Sequence, residues 1–199
     1  AGGWGTAMMI SLAARHDDLF MYCRNPKTAQ EMQKSRENTN YLPGCRIPLH
    51  VKITSTLETA VKGAGCVILC TPSHAVAAMA ESLVPWLEKD TVVVCASKGL
   101  ADHAGHRLSE VITDKVKGIT KKIVVLSGPN HAEEVGRGLP CATVAASEVP
   151  EAVQVVQDLF MSPVFRVYRS DDIKGVEYGG ALKNIMALAC GVLDGIGLG

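Results

Sequence analysis

Two lysines and a set of glycine-bearing turns hold the residue types able to do chemistry in this chain. Lys183 lies in the run Gly179-Gly180-Ala181-Leu182-Lys183-Asn184-Ile185-Met186-Ala187-Leu188-Ala189. One turn earlier, Gly179 and Gly180 leave helix surface without side chains, where a ligand can enter. A lysine in so apolar a helix is expected to be partly desolvated, which lowers its pKa toward the range of a general base. The plainer reading is a lysine that buries its stem and keeps its charge in water. Asn184 beside it can orient the lysine or an amide of a bound cofactor.

Lys98 lies in Ser97-Lys98-Gly99, directly after the apolar run Val92–Cys95. Loops at strand C-termini are where open α/β sheets bind ligands, and a lysine there meets a phosphate or a substrate oxygen as a point charge. Ser127-Gly128-Pro129-Asn130-His131-Ala132 follows the next apolar run in the same way. Its backbone N–H groups and Asn130 can bind a polyol or a phosphate. Either segment alone reads as an ordinary turn. His131 reads as a structural turn residue, and Glu133 and Glu134 as first-turn charges that complement a helix dipole.

The third element is Ala1-Gly2-Gly3-Trp4-Gly5-Thr6-Ala7. A glycine-rich turn that opens a helix presents backbone N–H groups and the helix dipole to a pyrophosphate. Gly2 permits close approach of the backbone to the ligand, and Gly5 permits close helix–strand packing. The first glycine of a full GxGxxG and the strand before it are expected upstream, so the chain is expected to be a fragment. Cys23-Arg24-Asn25 ends the second strand with no acid to hold a ribose 2′-hydroxyl. Arg24 suits a 2′-phosphate and leans toward NADP, or toward tolerance of NAD and NADP, although a solvated surface arginine reads equally well.

These residues need a frame, and the alternation of elements supplies one. Helices are expected from about Gly5, over Pro26–Arg36, Thr56–Lys62, Ser73–Leu83 and Pro150–Phe160. Strands are expected over Leu19–Cys23, Val51–Thr54, Cys66–Cys70, Thr91–Cys95, Ile123–Leu126, Ala142–Ala145 and Phe165–Tyr168. Continuous apolar strands separated by helices mean a mostly parallel sheet covered on both faces, a doubly wound Rossmann-like α/β fold. Residues 1–170 form this dinucleotide-binding unit. From Asp171 the chain reads as one helix, with Ser170 or Asp171 as N-cap, opening an all-α second domain over 171–199.

Composition sets the outer limits. Hydrophobic residues make up 47% of the 199, enough for a sizeable core. Lys and Arg together equal Asp and Glu at 20 each, which removes any general case for nucleic acid or an acidic membrane as partner. No run approaches a membrane span. Seven cysteines form no CxxC pair and no His/Cys cluster has metal-ligand spacing, so reduced, buried thiols in the cytoplasm are expected and no metal site.

Six segments, in order, carry a family resemblance: AGGWGTA at 1–7, NYLPG at 40–44, TPS at 71–73, SKGL at 97–100, SGPNHAEEV at 127–135 and GVEYGGALKNIMALACGVLDGIGLG at 175–199. The chain resembles the NAD(P)-dependent glycerol-3-phosphate dehydrogenases of bacterial and plastid type. The resemblance implies hydride transfer between NAD(P)H and dihydroxyacetone phosphate, forming sn-glycerol 3-phosphate for phospholipid synthesis. It implies Lys183 as the proton acceptor or donor at the C2 oxygen, Lys98 in contact with substrate and cofactor, and Gly128 and Asn130 in contact with substrate. It implies Gly2, Gly3, Trp4 and Gly5 against the cofactor, with Arg24 near its adenosine end and Ala132 also in contact. Many members have Ser in place of Gly3 and of Asn130, a mild departure that keeps a backbone N–H at each site. Family members also draw an aspartate partner for the lysine and a Ser-Arg-Asn phosphate clamp from a second domain. The fragment alone is therefore expected to bind substrate poorly and not to turn over. Its helix over 182–193 is expected to expose apolar surface. The family is often homodimeric, and a plant member would sit in the plastid stroma. Competing readings are a two-domain reductase of a 2-oxo acid or imine, a non-catalytic dinucleotide sensor, and a non-functional remnant. The GGALKN and SGPNHAEEV segments argue against the first and the two lysines against the second.

Overall fold

The computed structural model describes residues 1–102 and 104–198. The chain opens with α1 (Gly3–Ala13), then β1 (Phe20–Tyr22), α2 (Pro26–Ser35), β2 (Glu37–Asn38), β3 (Leu42–Arg46), β4 (Lys52–Thr54) and α3 (Leu57–Val61). It continues through β5 (Cys66–Leu69), a 3₁₀ turn at Ser73–Ala75, α4 (Val76–Leu83), β6 (Val92–Cys95), α5 (Leu108–Lys115), β7 (Ile123–Ser127) and α6 (Ala132–Gly136). The last elements are β8 (Cys141–Ala146), α7 (Pro150–Phe160), β9 (Phe165–Ser170) and α8 (Ile173–Gly195).

Five strands form one sheet in the order β5-β6-β7-β8-β9, and β1 and β4 form a separate parallel pair. Within the large sheet every pairing is parallel except β7 with β8. Alternation along β6 shows why both faces must be covered. Val92 and Val94 join the core under α1 and α7, while Val93 and Cys95 join the core under α4 and α5. β7 divides likewise, with Val124 and Leu126 on one side and Ile123 and Val125 on the other. A strand buried on both faces has no polar alternation, which is the sequence pattern these segments carry. Fully burying each such side chain contributes about 1.5–3 kcal/mol. A third cluster, with Met21, Cys23, Ala29, Met32, Ile47 and Val51, knits α2 to the β1–β4 pair.

Two helix starts differ from expectation. The N-cap of α8 is Asp172, whose carboxylate accepts from Gly175 N–H at 2.8 Å. Ser170 instead accepts from the Asp172 N–H, so it shapes the turn before the helix. The second is α1, which begins at Gly3 rather than near Gly5, because Thr6 N–H already reaches the Gly2 carbonyl at 3.0 Å. The far part of α8 is exposed as expected: Ile185, Met186, Leu188 and Val192 are all more than half exposed. No described helix is long and apolar enough to cross a membrane.

Candidate active site

The glycine loop opens α1 at the C-terminal end of β5. A side-chain carbon at Gly5 would lie 3.3 Å from Cys70 Cβ, so the helix starts in close contact with the strand end. Gly2 is an N-cap in extended conformation with no side-chain cap, and the first turn holds no acid. The N–H groups of that turn have no intrahelical acceptor, and the helix dipole adds partial positive charge. A carbon at Gly2 would meet nothing within 4 Å, so space lies open beside the N-cap. A helix start of this kind, uncapped and without an acid, has the donor chemistry that a pyrophosphate requires. Thr6 turns its hydroxyl back to the Gly2 carbonyl and accepts from Asn38 Nδ2 at 2.8 Å, which fixes the turn from behind. The Trp4 indole N–H is buried with no partner among the described residues.

Gly3 is more constrained than expected. A carbon there would fall 2.6 Å from the carbonyl oxygen of Tyr41 and 3.8 Å from Ala132 Cβ. The loop ending at Tyr41 therefore crosses the phosphate loop at contact distance. Serine at this position requires that crossing to move, so the departure at Gly3 is coupled to the backbone at Tyr41.

The second cluster lies at the ends of β6 and β7. Lys98 Nζ donates to the Gly128 carbonyl at 2.8 Å. Asn130 N–H reaches the same carbonyl at 2.9 Å, and Asn130 Nδ2 donates to the Ala142 carbonyl at 2.8 Å. Asn130 Oδ1 remains buried with no partner among the described residues. Ser97 Oγ donates to Thr71 O at 2.6 Å and so ties the Lys98 loop to the end of β5. α8 closes the cluster through Gly180, where a carbon would stand 2.7 Å from Ser127 Oγ and 4.0 Å from Lys98 Cγ.

Lys183 follows one turn later on the same helix and is exposed. The half-buried ammonium is Lys98, the reverse of what the apolar helix suggested. Burial pushes its pKa below the ordinary lysine value, and the like charge of Lys183 pushes it further. The two cations are thus close enough to repel.

Ala132, Asn130 and Gly128 form one short stretch between the two clusters. Ala132 opens α6 against Gly3, and Gly128 carries the Lys98 contact. Arg24 stands apart, exposed at the end of β1, with no ion pair among the described residues. No described group of three or more His, Cys, Asp or Glu is placed to hold a metal. The thiols of Cys66, Cys70 and Cys95 are pushed up to about 12 by burial, which leaves them protonated and inert at neutral pH.

Sequence reasoning missed Tyr41, Arg107 and Glu177. Glu177 was the most legible, as a lone acid among glycine and apolar residues in GVEYGG. It is buried, as is Arg107, and the two are joined at 2.8 Å.

The loop after Lys98 also holds a titratable pair. His106 Nδ1 and Asp102 Oδ2 are 2.6 Å apart. This hydrogen bond raises His106 above the ordinary imidazole value of 6.5 and holds Asp102 below the ordinary carboxyl value of 3.8. The imidazolium stabilises the turn below pH 6.5, and that contribution fades as pH rises through the higher folded value. The carboxylate contributes above 3.8 and fades as pH falls through its lower folded value. Proton NMR should therefore find a His106 midpoint above 6.5 that falls in Asp102→Asn. An equal midpoint in the two proteins contradicts the pairing.

Comparison with known proteins extends this geometry. A family model described as NAD-dependent glycerol-3-phosphate dehydrogenase N-terminus matches residues 1–153, and its C-terminus counterpart matches 172–199. The chain is 50% identical to glycerol-3-phosphate dehydrogenase [NAD(P)+] of Moorella thermoacetica, over all of this chain and 58% of that protein. It therefore spans about three fifths of the length of the curated relatives it matches. Among solved structures, glycerol-3-phosphate dehydrogenase of Coxiella burnetii superposes with a TM-score of 0.89 at 32% identity, over the whole chain and 60% of that protein. The enzyme of Saccharomyces cerevisiae gives 0.87 at 25%, over the whole chain and 62% of that protein. With a loop fit for a pyrophosphate, a two-lysine cluster beside it and a family match across nearly its full length, the chain belongs to the NAD-dependent glycerol-3-phosphate dehydrogenase family.

Proposed function

We propose that the full-length protein transfers a hydride between NAD(P)H and dihydroxyacetone phosphate, interconverting it with sn-glycerol 3-phosphate. The observation that carries this reading is the meeting of Lys98, Gly128 and the helix of Lys183 at the strand ends next to the phosphate loop. Residues 1–170 serve as the dinucleotide-binding domain, and 171–199 as the first helix of a substrate domain. The resemblance extends the proposal to a cytoplasmic homodimer.

Gly2, Gly3, Trp4 and Gly5 would hold the cofactor pyrophosphate, with Ala132 alongside and Arg24 toward the adenosine end. When bound, the nicotinamide supplies the hydride equivalent. The chain's own part is position and proton. Lys98 offers its ammonium to the substrate from the Gly128 carbonyl, an acceptor that holds the side chain in place. Gly128 and Asn130 offer backbone and amide groups to the substrate. Lys183 gives a proton to the C2 oxygen as the ketone is reduced, and takes it back in the reverse direction. Its exposure on α8 leaves the ammonium accessible to a substrate oxygen.

The test is oxidation of NADPH and of NADH by the full-length protein with dihydroxyacetone phosphate, a 2-oxo acid or a cyclic imine. The reading expects turnover with dihydroxyacetone phosphate alone, and use of NADPH, by itself or alongside NADH, as Arg24 suggests. Turnover on the 2-oxo acid or imine instead would move the protein to a related reductase. Cofactor binding with no turnover on any of the three would make it a sensor.

A further inference from the structure

Lys98 and Lys183 belong to different elements, one on the loop after β6 and one on α8, and their charges repel. Their placement therefore depends on how the loop and the helix are joined, at Gly180 and elsewhere. Arg107 contacts both. Its backbone pairs with Leu100 in an antiparallel bridge, two residues from Lys98. The neighbouring Ala101 N–H reaches His106 O at 2.9 Å, so the loop from 98 to 107 closes on itself. The guanidinium leaves that loop and donates through Nη1 to Glu177 Oε2 at 2.8 Å, two turns before Lys183 on α8.

The contact is built on every side. Glu177 Oε1 accepts from Ser109 N–H at 2.9 Å, in the first turn of α5, and Oε2 also accepts from the Ser109 hydroxyl. Arg107 Nη2 donates to Glu110 Oε1 at 2.7 Å, and Glu110 Oε2 accepts from the Arg107 N–H at 2.9 Å. The side chains of Arg107 and Glu177 are 8% and 5% exposed. A buried pair of this kind costs desolvation, and its best-attested use is to fix one arrangement over others. α5 has no Ser, Thr, Asp or Asn at its N-cap. The Glu177 carboxylate supplies an acceptor there from another part of the chain.

We propose that Arg107 and Glu177 are positioning residues that set Lys98 and Lys183 opposite one another. This rests on the dehydrogenase reading of the same lysines. Neither residue touches substrate or cofactor in that reading. They act through the lysines, by locking the loop to the helix one turn before Gly180 meets Ser127 and Lys98.

The experiment uses full-length protein with Glu177→Gln, which keeps the acceptor oxygen but not the charge, and Arg107→Lys, which keeps the charge but not the planar fork. Activity with dihydroxyacetone phosphate is expressed per cofactor-binding site, counted by NAD(P)H titration, so that misfolded molecules drop out. A short amine-reactive crosslinker followed by mass spectrometry reads the Lys98–Lys183 approach without reference to activity. The proposal expects kcat per site to fall about 10- to 100-fold in both variants, the scale of a small misplacement of reacting groups. It expects the cofactor Kd to stay unchanged and the Lys98–Lys183 crosslink yield to fall in parallel. An unchanged kcat per site, or an unchanged crosslink yield, overturns it. If the wild-type protein does not turn over dihydroxyacetone phosphate, the functional reading fails on its own, and the crosslink yield still decides whether the pair sets the lysines.

Discussion

Lys183→Met in the full-length protein should lower kcat by about 10²- to 10⁴-fold, the usual worth of a positioned proton donor. NAD(P)H affinity should stay as in the wild type, because the glycine turn belongs to α1 and Lys183 to α8, two elements that are not packed on one another in the described residues. The fold should also survive. Within residues 1–198 Lys183 is exposed on α8 and makes no ion pair among the described residues, so its replacement removes no packing from the dinucleotide-binding unit. The measurement is steady-state turnover beside a fluorescence titration of the cofactor. Loss of cofactor binding together with turnover would mean that Lys183 serves binding rather than proton transfer. Full turnover in the variant would remove it from the mechanism.

Gly128→Ala is the second large effect, and it acts through backbone rather than charge. A carbon at this position would stand 2.6 Å from the Ala142 carbonyl oxygen and 2.8 Å from Thr143 Cα. Both atoms are backbone of β8, where Ala142 and Thr143 pair with Arg166 and Val167 of β9, so neither can swing away as a side chain would. The turn must shift instead, carrying the Gly128 carbonyl from Lys98 Nζ and disturbing the Asn130 amide. Overpacking of this kind typically costs about 1–3 kcal/mol. Turnover should fall with it, since the carbonyl that holds Lys98 is displaced. Gly180→Ala makes the comparison. There the close atom is a serine hydroxyl that can rotate, so the loss should be smaller. Thermal unfolding of the two variants decides it, and equal stability losses would show that β8 yields as easily as a hydroxyl.

The parts of this arrangement that sequence reveals are those governed by local pattern. β6 and β7 read from the runs Thr91–Cys95 and Ile123–Leu126, because strands buried on both faces are apolar without interruption, and β5 reads from Cys66–Cys70 although it stands half-buried at the sheet edge. The glycine turn that opens α1 and the turns after β6 and β7 read from glycine spacing and from their place at strand ends. What stayed hidden depends on distant partners. α5 has a helical spacing in Leu108, Ile112 and Val116, yet its start is masked because Arg107 stands at the N-cap and part of the capping comes from Glu177. The β2–β3 hairpin holds Pro43 and Gly44 and no alternating run. Its place is fixed by Asn38 reaching Thr6 and by Leu42 entering the core. The division of burial between the two lysines was also out of reach. An apolar sequence around Lys183 suggested a covered side chain, whereas the contact of Lys98 with Gly128 depends on how two loops meet.

The most direct measurement follows the hydride itself. Full-length protein is mixed with NAD(P)H deuterated at the transferable C4 position and with dihydroxyacetone phosphate, and the product is examined by mass spectrometry and NMR after a single turnover. The account predicts sn-glycerol 3-phosphate carrying deuterium at C2, formed about 10²- to 10⁴-fold more slowly when Lys183 is replaced by Met. Cofactor oxidised without deuterium at C2, or labelled product formed equally well by the Lys183→Met variant, would contradict it.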